Sequence, residues 1–339
     1  MPLIEFSDKG LYCPAGGFYI DPWRPVDKAV ITHAHSDHAR WGSKHYLCHH
    51  HTKPILEVRL GRDNQYQSIE WNEPIDINGV KVSLHPAGHI IGSSQIRVEH
   101  KGEVWVVSGD YKVENDGMSG EFEPVKCHTF ITESTFGLPI YYWKPQTEIF
   151  SNIQSWVRQN KEAGKSSILI AYSLGKAQRL LPCLAEVTDT ILVHGAVYNV
   201  HKALEEAGWK LPQVQRVTPD TPKELLKSAV VIAPGSAEGT PWIKKFAPYA
   251  VGICSGWMQV RGNVRRKNAD AGFALSDHAD WPGLLQAIKA TEAQKVFVTH
   301  GFQHAFSRYL NEQGIPAAEV ATEYGGEEEE TIKTEETVE

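Results

Sequence analysis

The chain has 339 residues, 41% of them hydrophobic and ten of them Trp, enough for a sizeable core in two domains or in one large domain with an insertion. The formal charge is −7, but the last thirteen residues, EEEETIKTEETVE, hold seven Glu and one Lys, so the body is near neutral and neither demands nor rules out a nucleic-acid partner. Five Cys stand singly with no C-x-x-C, no run approaches the ~20 apolar residues of a membrane span, and the start MPLIEFSDKG is too short and polar for a signal peptide. The expectation is a cytoplasmic protein with free thiols and no membrane contact.

The first 140 residues read as short strands and turns. GFYIDPW, KAVITHA, GVKVSLHPAGH, EVWVVSGDY and HTFITEST are apolar or alternating runs closed by Gly, Pro, Asp or His. Asp21, His33, His89, Asp110 and Glu133 each sit just after or at the end of such a run. Strand ends that converge on one sheet edge can assemble a site from distant positions. From about residue 145 the texture changes. QTEIFSNIQSWVRQNKEAG has helical spacing, with Ile149, Ile153, Trp156 and Val157 on one face. Strand and helix signals then alternate through SSILIAYSLGKAQRLLPCLAEV, TILVHGAVYNVHKALEEAG and AVVIAPGSAEGTPWIKKF, which suggests a parallel sheet flanked by helices. Near 266 the site-like texture returns in GFALSDHADWPGLLQAIKA and KVFVTHGF. The final acidic stretch reads as a solvated, disordered tail.

The densest chemistry lies in AVITHAHSDHARW, residues 29–41. Alternate residues of an extended segment point the same way, so His33 and His35 can grip one ion. Asp37 and His38 follow and can turn toward a second. Six residues cannot easily close two coordination shells, so distant ligands are required, and His89, Asp110 and His300 lie beside strand-like or Gly-rich segments. Asp110 could bridge two ions with its two oxygens. Ligation by N and O without Cys suits Zn²⁺ or Mn²⁺ at a water-accessible catalytic site. An isolated His is more often an ordinary core or surface residue, but H-x-H-x-D-H directly after an apolar strand favours ligation. Two ions roughly 3.5–4 Å apart generate hydroxide at neutral pH and clamp the attacking and leaving oxygens. That chemistry serves phosphodiesters, lactams and thioesters alike, so the cluster names a catalyst and not a substrate.

This motif set resembles the metallo-β-lactamase superfamily, and within it the β-CASP nucleases. The further marks are Glu133 in TESTFG, His278 in LSDHADW, His300 in FVTHGF and the stretch AYSLGKAQRL. The segments GLYCPAGGFYIDPWRPVDKAVITHAHSDHARWG and CSGWMQVRGNVRRKNADAGFALSDHADWPGLL are similar to bacterial ligase-associated DNA exonucleases. The resemblance runs from about residue 8 to 325. It implies an α/β fold, a metallo-β-lactamase αββα sandwich with an inserted β-CASP domain. The expected division is residues 1–142 for the first part of the sandwich, 143–265 for the insertion, 266–326 for the return and 327–339 for the tail. It implies His33, His35 and His89 on one of two divalent metals, Zn or Mn, with Asp37, His38 and His300 on the other and Asp110 bridging. Asp21 would support the ligand loop from behind. The resemblance also implies Asp37, His278 and Glu133 as the catalytic set. A carboxylate at Glu133 would orient His278 and favour its protonated form, and a protonated His can donate to the departing oxygen.

Cations that could hold flanking phosphates are Lys176 and Arg179 after the turn SLG, and Arg261, Arg265, Arg266 and Lys267 in VRGNVRRKN. The plain alternative for each is a solvated helix face. SLGK lacks the Gly spacing of a phosphate-binding nucleotide loop. His49, His50 and His51 read as a surface loop. The expected activity is two-metal-dependent DNA hydrolysis by metal-hydroxide attack, as an exonuclease trimming single-stranded or frayed ends before ligation. An ATP-dependent DNA ligase and a helicase are the implied partners. The alternative is an RNA-processing nuclease, since nothing in the motifs reads a 2′-OH. A small-molecule metallohydrolase and a non-catalytic scaffold are weaker readings.

Overall fold

The structure is a computed structural model that describes residues 2–260, 262–263 and 269–323. The expected cations Arg261, Arg265, Arg266 and Lys267 and the acidic tail 327–339 lie outside the described residues. In chain order the elements are β1 (Glu5–Ser7), β2 (Gly10–Cys13), β3 (Phe18–Ile20), β4 (Lys28–Val30), β5 (His45–His49), α1 (Lys53–Leu60), β6 (Gln65–Ile69), β7 (Ile75–Ile77), β8 (Val80–Pro86), β9 (Ser94–His100), β10 (Glu103–Val107) and β11 (Thr129–Ser134). There follow α2 (Gln146–Glu162), β12 (Ser166–Ile170), α3 (Lys176–Ala185), β13 (Ile191–Val193), α4 (Gly195–Glu206), β14 (Val214–Arg216), β15 (Val230–Ala233), α5 (Pro241–Lys244), β16 (Tyr249–Cys254) and β17 (Ala271–Phe273). The chain closes with α6 (Trp281–Thr291), β18 (Lys295–Gly301), α7 (Gln303–Glu312) and β19 (Ala317–Glu319). Two compact units result: one holds the chain up to Tyr142 and again from His278, and the other is Trp143–Asp277.

The first unit contains two sheets, in the orders β1-β2-β3-β4-β5-β6 and β19-β18-β11-β10-β9-β8-β7. Period-two patterning layers them. Leu11, Phe18, Ile20, Val30 and Leu47 of the first sheet share one buried cluster with Val82, Leu84, Ile96, Val98, Trp105 and Val107 of the second. The alternate residues Val104 and Val106, with Phe130, Val296 and Val298, face a different cluster that takes in Leu284 and Ile288 of α6 and Phe306 and Leu310 of α7. Strands β10, β11 and β18 are mutually parallel, while β9 runs antiparallel to both β10 and β8. So β8, β10, β11 and β18 all point the same way and end on one sheet edge. The surface-loop reading of the histidine triplet needs correction at its first member. His49 ends β5 fully buried, stacked on Trp71 with ring centroids 4.1 Å apart. Burial, reinforced by His51 and His50, pushes its pKa down to about 3.

The second unit is a parallel sheet in the order β14-β13-β15-β12-β16-β17 with helices between its strands. Strand β17 pairs with β16, so this sheet extends past residue 265, where the change of texture placed its end. Helix α2 buries Ile149, Ile153 and Val157, and half-buried Trp156 meets Phe273 edge-on at 5.7 Å. Lys176 and Arg179, read from sequence as phosphate contacts, are buried at 0% and 4% exposure. Asp277, also buried, lies between them. Its Oδ1 is 2.9 Å from Arg179 Nη1 and its Oδ2 is 3.5 Å from Lys176 Nζ. Arg179 also donates to the Ser276 carbonyl at 2.6 Å and to Gln146 Oε1 at 2.5 Å. These cations tie α3 to the Ser276–Asp277 segment and do not present themselves on a solvated helix face.

Removing one partner of a buried ion pair strands the other charge, which costs about 3–5 kcal/mol. Asp277→Ala strands two, so urea titration should show a loss of at least that size. A loss below about 1 kcal/mol, the scale of a surface pair, would show that the network is peripheral.

Candidate metal centre

After β4 the chain leaves the strand through Thr32 and His33 and then turns, with the amides of His38 and Ala39 both donating to the His35 carbonyl. That turn folds His38 back beside His33, with ring centroids 4.2 Å apart. His89 arrives from the loop after β8, where Ser93 Oγ accepts the amides of His89 and Ile90 at 3.0 and 3.2 Å. Asp110 follows β10, Glu133 lies in β11, and His300 lies at the end of β18. The common direction of these strands brings the four positions to one edge. Gly109 makes the approach possible: its φ is +57°, and a Cβ there would come within 2.7 Å of the Thr32 side chain. Gly301 has the same role after His300, with φ +80° and no room for a Cβ against the Ser134 carbonyl.

The result is a buried cluster that could hold metal. The ligand atoms of His33, His35, His89 and Asp110 lie within 4.8 Å of one another, as do those of His38, Asp110 and His300. Asp37 stands beside the second group, its Oδ2 3.5 Å from His38 Nε2. Asp110 is the shared member. Its Oδ2 is 3.5 Å from Nε2 of both His33 and His38, and its Oδ1 is 2.8 Å from Nε2 of His300. Two observations fit a cation here. His33 Nε2 is buried without a hydrogen-bond partner. Nε2 of His89 and Nδ1 of His35 approach to 3.0 Å, so two lone pairs would repel unless a proton or a metal ion lies between them. The donor set, imidazole nitrogen and carboxylate oxygen, suits Zn²⁺ or Mn²⁺.

The electrostatics follow from burial. Desolvation, aided by the charge on His38, holds the His33 pKa well below the usual imidazole range. Desolvation also opposes charge on His38, but Asp37 and Asp110 outweigh it and hold that pKa well above the usual range. Burial alone would raise the Asp110 carboxyl, yet His38 and His300 keep it far below its ordinary value. The site therefore keeps an ionised carboxylate at its centre and takes up positive charge around it. A metal ion would supply that charge in place of protons.

Asp21 sets the tautomers. It sits at φ +43°, a strained backbone for a residue other than glycine. From there Oδ1 accepts the Thr32 amide at 2.8 Å, and Oδ2 accepts the Thr32 hydroxyl at 2.5 Å. The same Oδ2 lies 2.7 Å from His38 Nδ1. With its proton committed to Asp21, the Thr32 oxygen accepts from His33 Nδ1 at 3.0 Å. One carboxylate thus fixes the N–H of two histidines on the far side of their rings, leaving Nε2 for a metal. Thr299 repeats the device at the other strand end. Its hydroxyl donates to the Thr132 carbonyl at 3.0 Å and lies 3.2 Å from His300 Nδ1. Reading the sequence for ligands missed both threonines. The signal was the dipeptide Thr-His, present in ITH and again in VTH.

His278 and Glu133 meet as a buried pair. His278 Nδ1 lies 2.8 and 3.1 Å from the two Glu133 oxygens, and Glu133 Oε1 also accepts the Tyr111 amide at 2.7 Å. The Ala279 amide donates to the Tyr111 carbonyl at 2.6 Å, stitching the His278 segment to the Asp110 loop. Ligand atoms of Asp110, Glu133 and His278 also lie within 4.8 Å of one another. The pair therefore stands against the shared carboxylate.

No family model matches the chain. Over 317 residues it is 29% identical to an Opitutus terrae protein named "Probable DNA ligase", covering 93% of this chain and 30% of that protein. It is 28% identical over 166 residues to "Cleavage and polyadenylation specificity factor 73" of Drosophila melanogaster, covering 47% of this chain and 24% of that protein. It is 29% identical over 125 residues to "Endoribonuclease YSH1" of Yarrowia lipolytica, covering 36% and 15%. The chain thus spans less than a third of the length of these relatives. They bear out the resemblance to the metallo-β-lactamase and β-CASP nucleases. Among solved structures, a protein of unknown function from Enterococcus faecalis matches in fold, with a TM-score of 0.58 at 14% identity over 88% of this chain and 79% of that one. Among the described residues no helix is long and apolar enough to cross a membrane.

Loss of a carboxylate that orients metal-binding histidines typically costs about 10–100-fold in metal affinity. Asp21→Ala should weaken Zn²⁺ or Mn²⁺ binding by that factor in equilibrium dialysis, and Thr32→Val should weaken it less, because His38 keeps its direct bond. Equal affinities for the wild type and Asp21→Ala would contradict the assignment.

Proposed function

We propose that the chain is a two-metal-dependent DNA nuclease, an exonuclease that trims single-stranded or frayed ends before ligation. The observation that carries this reading is the placement of the His278 and Glu133 pair against the carboxylate shared by two metal-capable groups. The reading takes the first unit as the αββα sandwich and the second as the inserted β-CASP domain. His33, His35 and His89 hold one divalent ion, Zn or Mn. Asp37, His38 and His300 hold the other, and Asp110 belongs to both. When bound there, the ions supply an activated water at neutral pH and neutralise charge on the phosphate.

The protein's own groups do the rest. Asp21, through Thr32, keeps the histidine lone pairs aimed. Burial of the centre strengthens every charge interaction within it. Glu133 accepts the Nδ1 proton of His278, which fixes the ring and leaves Nε2 on the opposite side. Protonated there, Nε2 is the proton source for the leaving oxygen. The relative named as a DNA ligase matches 93% of this chain, over 30% of its own length, which supports DNA as substrate and a ligase as partner; a helicase partner and a cytoplasmic setting belong to the same proposal. A second reading, an RNA-processing nuclease, is supported by the relatives named for polyadenylation and endoribonuclease activity.

The reading is tested by digesting end-labelled single- and double-stranded DNA and matched RNA with Mn²⁺ or Zn²⁺, with Asp110→Ala as the inactive control. Progressive shortening of DNA from an end is expected. Cleavage of RNA alone would move the assignment to the second reading, and no cleavage of either would reject both.

General acid catalysis contributes about 10²–10⁴-fold when the leaving group is a poor one. His278→Ala should slow DNA cleavage by roughly that factor with unchanged metal content. On a diester with a p-nitrophenolate leaving group, which departs without a proton, the loss should be far smaller. Equal losses on both substrates would remove His278 from the role of acid, and loss of metal would make it a ligand.

A further inference from the structure

We infer that the second unit carries a separate binding patch for the phosphate backbone of a nucleic-acid strand, centred on Arg216 and Lys245; this rests on the nuclease reading above. The patch lies at the carboxyl ends of β13 and β14, the edge of a parallel sheet where ligands commonly bind. His194 directly follows β13 and caps α4, its Nδ1 accepting the Ala196 amide at 3.2 Å. Arg216 is the last residue of β14. Its guanidinium lies over the first residue of α4, and a Cβ on Gly195 would stand 3.3 Å from Nη2. Trp242, in the short helix after β15, meets the His194 ring edge-on at 4.9 Å, and Lys245 Nζ lies 5.1 Å from the centre of the Trp242 ring.

Stability alone would not assemble these groups. The amino end of a helix carries partial positive charge and favours a carboxylate. Here it receives a guanidinium. Arg216 and Lys245 are both exposed, and among the described residues neither has a carboxylate partner. After burial, the charges acting on His194 are Lys245 and Arg216, and both push its pKa down. Rings hold the two cations in place: Trp242 under Lys245, and Tyr198 at 6.0 Å from the Arg216 guanidinium carbon. A patch of positive charge fixed by aromatic rings, beside a helix amino end and with no acidic counterpart among the described residues, is suited to an anion. Phosphate matches both cations, with a fork for the guanidinium and a point charge for the ammonium. A strand backbone offers phosphates in series, so one chain can satisfy both. The buried pair Lys176 and Arg179 is the contrast, since Asp277 already meets its charge.

The test uses the full-length protein in EDTA, so that no cleavage occurs, with a fluorescein-labelled 20-nucleotide oligo(dT) followed by anisotropy across a series of salt concentrations. Each phosphate contact on a single strand contributes about 0.7 to the slope of log affinity against log salt. Arg216→Ala with Lys245→Ala should lower the slope by about 1.4 and weaken binding roughly 10- to 30-fold at 0.1 M salt. Each single substitution should carry about half of the slope change, which keeps the question open to test should the double variant fail to fold. Arg216→Lys with Lys245→Arg should keep the wild-type slope. Wild-type slope and affinity in the alanine variants would overturn the inference. Hydrolysis of bis(p-nitrophenyl) phosphate by the wild-type protein with Mn²⁺ tests the nuclease reading separately. Its absence would reject that reading, while the slopes would still decide whether the patch binds a strand.

Discussion

The structure of the first unit turns on one constraint: an ionised carboxylate, Asp110, is buried at 5% exposure among imidazoles that must share or surrender protons around it. Left without positive charge, such a group would be costly, since burying an isolated carboxylate costs several kcal/mol even after the surroundings relax. Every neighbouring feature serves to deliver that charge from a fixed direction. Parallel strands bring Asp110, Glu133 and His300 to one edge. Gly109 lets the Asp110 loop press against Thr32. Asp21 tolerates a strained backbone so that one carboxylate can fix two histidines. Strain of this kind persists only where surrounding contacts over-determine it, and here six residues, Asp21, Thr32, His33, His38, Thr132 and Glu133, are almost wholly buried.

The second unit solves the opposite problem in two ways. At the start of α3 it buries two cations and meets them with Asp277, closing the network within the fold. At the carboxyl ends of β13 and β14 it leaves two cations exposed, and among the described residues they are met by aromatic rings and by no carboxylate. Buried charge without a partner is expensive and exposed charge without one is cheap. The first arrangement is therefore read as structural, while the second is free to serve an anion from solution.

Part of the candidate ligand set was legible in the sequence because its spacing is local; His89, Asp110 and His300 lie far apart in the chain, and only the fold brings them beside it. His33, His35, Asp37 and His38 fall within six residues directly after an apolar strand, and the turn at His35 needs no distant contact to be foreseen. The alternation of strands and helices likewise disclosed a parallel sheet in the second unit. The burial of Lys176 and Arg179 was not legible. A basic residue after a Gly-containing turn looks the same whether it faces solvent or Asp277, about a hundred residues away. His49 was misread for a similar reason: three consecutive histidines resemble a solvated tract until Trp71, on a neighbouring segment, covers the first.

By itself the sequence determined which side chains could bind metal and which segments could be strands, because residue type and period are properties of the local chain. Tertiary structure decided which nitrogen of each histidine is left to bind. That choice depends on Asp21 reaching Thr32 and His38, and on Thr132 meeting Thr299, across 167 positions of chain. It also decided which cations are paired. Charge is countable in a sequence, but its cost depends on burial and on the nearest opposite charge, and both are set only when distant segments pack.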